Sequence, residues 1–169
     1  MGMSSDALPW SLTLEVRDSC LCLHLQRAAR AAGRRFDAAL RPLGLTNGQF
    51  SLLMSLNRPQ PPTLGSVAGL LGMDRTTLSA NLKPLERRGL VAMAADPADR
   101  RRHRLRLTAE GCRVLAAAVP VWRATHAALE TLTGGVGADA LRAALLALSE
   151  GAVPGRDPAA AGTILPAAV

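Results

Sequence analysis

Apolar positions along the chain keep mostly to helical spacing. Leu21, Leu25, Ala28, Ala32, Phe36 and Ala39 recur at intervals of three and four, one stripe of a long helix. The pattern breaks at "RPLGLTNG". Thr46, followed by Gln49 three residues on, predicts a capping box and a second helix carrying Phe50, Leu53, Met54 and Leu56. That helix should stop at the Pro-rich "NRPQPPT". Two short helices follow in tandem, "LGSVAGLLG" and "MDRTTLSANLKPLERRG". The first ends on Gly72 and the second opens on Asp74, a good N-cap. Two helices joined by about three residues are the pattern of a helix-turn-helix. Pro84 predicts a bend in the second of them.

The period then changes. "LVAMAAD" reads as a strand, "PADRR" as a turn and "HRLRLT" as a strand with strict alternation. Leu105 and Leu107 should face inward, and His103, Arg104 and Arg106 partly outward. Thr108 through Gly111 opens another helix, running through Val114, Leu115, Ala118, Trp122, Thr125, Leu129 and Leu132, with a kink expected at Pro120. A last helix carries Leu141, Leu145 and Leu148. The fold class expected is mainly α with a small β-hairpin wing: a winged helix-turn-helix whose N- and C-terminal helices form a dimerisation region. The boundaries read as 13–45 for the first dimerisation helix, 46–108 for the winged lobe and 109–150 for the C-terminal dimerisation helices. Residues 1–12 and 151–169 read as tails. Alone, the apolar stripes of 21–39 and 114–132 would leave much contiguous apolar surface in water, so a two-fold dimer is expected.

Composition supports the helical reading. Ala and Leu dominate, with two Phe, two Trp and no Tyr among 169 residues. Charge adds a direction. The formal net charge is +7. From Asp74 to Thr108 stand nine basic residues against four acidic, a surplus of five in about a fifth of the chain. Clustering of this kind is the footprint of a nucleic-acid binder. No basic amphipathic helix with large apolar residues accompanies it, no run of about 18 apolar residues is free of charge, and "MGMSSDALPW" has no signal-peptide pattern. A cytoplasmic protein without a membrane partner is expected. Cys20, Cys22 and Cys112 fit reduced thiols better than a disulfide framework.

A helix-turn-helix lays its second helix in the major groove of double-stranded DNA, N-terminal residues towards the bases. Here those residues are Arg75, Thr76, Thr77 and Ser79, with Asn81 and Lys83 a turn later. Arg can grip guanine with two bonds, Asn adenine, and Thr or Ser a phosphate or base edge. Leu78, Leu82 and Leu85 fall on the opposite face. Between the two strands, Arg100, Arg101 and Arg102 would form a wing tip reaching the backbone and minor groove, with Asp99 orienting Arg101 or capping the turn.

"GMDRTTLSANLKPLERRGLV" followed by "DPADRRRHRLRLTAEG" resembles the multiple-antibiotic-resistance regulator (MarR) family of winged-helix repressors, over roughly residues 18 to 148. "LRPLGLTNGQFSLLMSL" is similar to that family's join between its first two helices. The resemblance implies a homodimer on a palindromic operator, expected to repress transcription, with an effector pocket between lobe and dimer region for a small molecule. It implies that Asp99 and Arg101 are the wing pair and that Thr77 and Ser79 occupy recognition-helix positions. Ala80 stands where many members carry a basic residue.

The stretch around Cys22 is similar to the first helix of the organic-hydroperoxide-sensing branch, in which a Cys at this position is oxidised and DNA is released. Two tyrosines poise the thiolate there; Phe36 and Asn47 stand at the matching positions here. An ordinary mid-helix thiol is therefore expected, with a Cys22 redox sensor and a non-specific architectural DNA-binding protein as alternatives. No enzyme is expected. Cys20 and His24 pair a thiol with an imidazole, but nothing supplies an oxyanion hole or a third group. Three scattered His and a Cys-x-Cys give no zinc spacing, and no Walker lysine follows a Gly-rich loop, so neither metal nor cofactor is expected.

Overall fold

The computed structural model describes residues 8–96 and 103–151, in two compact units, Met1–Thr125 and His126–Val169. The long first helix expected from the sequence is two helices, α1 (Trp10–Ser19) and α2 (Leu21–Leu40). Helix therefore begins inside the segment expected as a tail. The break falls at Cys20, whose ψ of 103° is extended; its N–H still closes on Val16 O at 3.0 Å, and its own carbonyl accepts from His24 N at 3.2 Å. Cys22 accordingly sits in the first turn of α2 rather than mid-helix, a correction to the sequence reading.

A single 3-10 turn (Arg41–Leu43) leads to α3 (Asn47–Leu56). The capping box is present: Thr46 Oγ1 accepts from Gln49 N at 3.2 Å, and Gln49 Oε1 accepts from Thr46 N at 3.1 Å. α4 (Leu64–Leu71) and α5 (Arg75–Arg87) are the tandem pair. Gly72 between them has φ 62°, a left-handed cap that a side chain would strain. α5 stays one helix across Pro84. β1 (Val91–Ala95) and β2 (His103–Leu107) pair antiparallel with Val91 opposite Leu107 and Ala95 opposite His103. α6 (Ala109–Glu130) continues through Pro120.

The core of the first unit gathers Leu40, Leu52, Leu53, Leu78, Leu85, Leu90 and Leu105, all fully enclosed. Phe50 stacks on Trp122 of α6 with ring centroids 6.2 Å apart. Arg104, read from alternation as partly outward, is so, with 38% of its side chain exposed, and it is also a fastener. Its Nε lies 2.9 Å from Oδ2 of the buried Asp96, and its Nη1 donates to Pro61 O at 3.2 Å. Beside it, Leu105 N donates to Pro62 O at 2.9 Å. The hairpin is thereby tied to the loop that precedes α4. In the second unit, the end of α6 meets α7 (Ala138–Gly151) through Arg142, which pairs with Glu130 at 2.6 Å and also with Asp139. α7 has no buried residue, and Leu141, Leu145, Leu146 and Leu148 are exposed.

Gly111 is the tightest point. A Cβ built there would lie 2.0 Å from the carbonyl oxygen of Leu90. That carbonyl accepts from Thr108 N at 3.1 Å, and Thr108 Oγ1 donates to Gly89 O at 2.6 Å while capping Gly111 N at 3.0 Å. Backbone cannot give way as a flexible side chain would. Gly111→Ala should therefore destabilise the chain by about 3 kcal/mol or more. Gly69, inside α4, has open space around its Cβ position. Gly69→Ala should raise stability by about 0.5–1 kcal/mol through helix propensity. Urea-unfolding midpoints of the two variants would check both signs.

Candidate nucleic-acid interface

α5 owes its start to Asp74. Oδ1 accepts from Thr77 N at 2.8 Å and Oδ2 from Thr77 Oγ1 at 2.7 Å, so one carboxylate holds both polar groups of the first turn. These two Thr77 donors hold the Asp74 carboxyl below the ordinary carboxylate range. At 100° per residue, the buried Leu78, Leu82 and Leu85 mark one side of the helix. The opposite side presents Thr76, Ala80, Lys83 and Arg87, all exposed. Arg75 and Ser79 lie along one flank of that face, and Thr77 and Asn81 along the other.

The candidates therefore do not all look the same way. Thr76 and Lys83 stand on the outermost line. Asn81 is half-buried; its Nδ2 donates to Thr77 O at 3.0 Å, and its Oδ1 is 3.7 Å from the Cβ position of Gly48 on α3. Ser79 is half-buried as well. Arg75 borders a cavity of about 440 Å³ between the start of α4 and the hairpin, shared with Thr63, Gly65, Ser66, Met93 and His103. The Arg75 guanidinium is 3.8 Å from the Cβ position of Gly65, close to the N-terminal end of α4.

Asp99, Arg100, Arg101 and Arg102, the wing-tip candidates, lie outside the described residues. The base of that hairpin is described, and it holds exposed His103 and Arg106. The sequence reading missed the cavity and the part of His103 in it. Thr63 gave the available signal: it caps α4 by accepting from Ser66 N at 3.2 Å, which fixes where that helix starts. Arg88, counted as surplus charge, has an internal use. Its guanidinium donates to the carbonyls of Gly44 and Leu43 ahead of α3. Cys22 is exposed, with Gln26 Nε2 3.4 Å from its sulfur. Among the described residues no single helix is long and apolar enough to cross a membrane.

The cap gives a pH-dependent expectation. A carboxyl held low in the folded state contributes stability fully present above its unfolded pKa, about 3.9, and lost as pH falls through the lowered folded value. The stability difference between the wild-type chain and Asp74→Ala should therefore be positive at neutral pH. It should shrink on acidification from about pH 5 toward pH 2, followed by denaturant midpoints at each pH.

Residues 45–103 match the model of the MarR family. The regulator HosA of Escherichia coli O111:H- is 38% identical over 41% of this chain and 59% of its own length. The chain spans under six-tenths of the length of the first curated relatives that it matches. Solved structures are covered more fully. The M. tuberculosis transcriptional regulator MosR in complex with DNA is 39% identical, over 79% of this chain and 96% of that one, with a TM-score of 0.71. The repressor CouR bound to a 23-mer DNA duplex is 34% identical, over 79% of this chain and 92% of that one, with a TM-score of 0.64.

Proposed function

The chain belongs to the MarR family of winged-helix regulators, and from that premise we propose that it binds a palindromic operator as a homodimer and represses transcription until a small-molecule effector releases it. The observation that carries this reading is α5. Its buried leucines fix it against the lobe, and the opposite face offers Thr76 and Lys83 with Arg75 at its edge. Such a face suits a major groove, where Arg reads base edges and Lys neutralises phosphate. MosR and CouR, solved on DNA, support the same use of the lobe.

Dimerisation is supported by what each unit leaves uncovered. α1 and the start of α2 expose Trp10, Leu12, Val16 and Leu21, with Trp10 71% exposed. The second unit exposes Leu132, Val136 and the leucines of α7. Large apolar side chains exposed in this number favour an interface. Residues 13–45 and 109–150 are the proposed dimerisation helices and 46–108 the proposed DNA-binding lobe.

A second reading, thiol sensing, is favoured by one observation: Cys22 is exposed and stands at the opening of α2 rather than in its middle. Treating the operator-bound protein with a modest excess of organic hydroperoxide separates the two. Release from wild type but not from Cys22→Ser assigns the trigger to the thiol; retention in both assigns it to a small molecule.

The main reading is tested by anisotropy titration with the chain's own upstream region and a random duplex at one fixed salt concentration. The upstream region should bind tighter by roughly 10³ or more. Arg75→Ala should cost about 1–3 kcal/mol and relax preference at one base position per half-site. Lys83→Ala should weaken both duplexes alike and lower the salt slope by about one per protomer. Equal affinity for the two duplexes would make the protein an architectural binder instead, and a monomeric mass by sedimentation at micromolar concentration would refute the dimer.

A further inference from the structure

Arg27, Arg30 and Arg34 of α2 fall within an arc of about 60°, roughly opposite the buried Phe36. All three are exposed. Arg27 and Arg34 make no hydrogen bond or ion pair among the described residues, and Arg30 reaches only Gln26 Oε1, at 3.5 Å. The one acid of the helix, Asp37, accepts from Asn47 N at 2.7 Å at the start of α3. Ala28 and Ala31 lie to one side of the arginines and share with them an open groove of about 430 Å³.

Like charges at three- and four-residue spacing weaken a helix. Among the described residues no acid is paired with Arg27, Arg30 or Arg34, so the face is open to an anionic partner. An apolar partner would bury three charges without counter-ions. A small acid would find a shallow, open floor rather than an enclosed site. A phosphate backbone fits better. From Arg27 to Arg34 the helix rises about 10.5 Å, the axial length of about three phosphates on one strand. Guanidinium forks match phosphate oxygens in pairs, and the alanines let the backbone come close.

We infer that this arginine face of α2 is a second, sequence-independent contact with the phosphates of operator DNA, separate from α5 and the hairpin. The inference rests on the DNA-binding reading above. The test is the full chain carrying Arg27→Gln, Arg30→Gln and Arg34→Gln together, titrated with the upstream duplex over a range of salt concentrations. The slope of log K against log salt should fall by two to three per protomer, about 0.9 for each phosphate no longer neutralised. The preference for the upstream region over a random duplex should stay at the wild-type value. Arg→Lys at the three positions should restore most of the slope. Helical circular dichroism and sedimentation mass are read alongside. If the triple variant is misfolded, the three single variants replace it, each expected to take about one from the slope. A variant that matches wild type in slope overturns the inference, whether or not its affinity changes. So does one that loses its dimeric mass, which would make the face a protein contact. Absence of any salt-dependent DNA binding by the wild-type chain would instead remove the DNA-binding reading itself.

Discussion

The lobe depends on one close approach, the start of α6 against the end of the turn that follows α5. Gly111 lies over the Leu90 carbonyl with no room for a side chain, and Thr108 bridges the two with its N–H and its hydroxyl. Three elements are fixed by that contact. α5 ends there, the hairpin begins and ends there, and α6 takes its direction there. The presented face of α5 and the base of the hairpin are thus parts of one rigid joint, so their relative position does not rest on long side chains alone.

Around that joint, charge is divided between structure and surface. Arg104 holds buried Asp96 and the Pro61 carbonyl, and Arg88 holds the carbonyls ahead of α3. These arginines act as multi-donor clamps on backbone that has no secondary-structure partner. Lys83 and Arg87 are left to solvent. A count of net charge cannot separate the two groups, because an arginine clamped on backbone and a free contact each add one.

Local chemistry was the legible part of the sequence. Thr46 with Gln49, Asp74 as the N-cap of α5, and Gly72 after α4 each act within four residues, and each appears as read. The alternation of the hairpin placed Leu105 in the core for the same reason. What was not seen depended on distance or on a weak local preference. The break at Cys20 has no Pro or Gly to announce it, so the stripe through Leu21 and Leu25 hid it. Arg104 was read from its own strand, while its partners Asp96 and Pro61 come from the end of β1 and a loop 43 residues earlier. Gly111 looked like an ordinary residue of a helix start, and its role comes from a carbonyl 21 positions away, in a segment the helix pattern does not touch.

The chain holds two tryptophans and no tyrosine, and the two indoles sit in unlike places. Trp122 lies against Phe50 across the α3–α6 contact, while Trp10 stands in water on α1. Ultraviolet emission from the protein is therefore a sum of only two sources, one sheltered and one wet. A blue shift confined to the wet component would report coverage of α1, and quenching of the sheltered one would report loosening of α3 from α6. Assembly and internal rearrangement can thus be followed in one cuvette without a label.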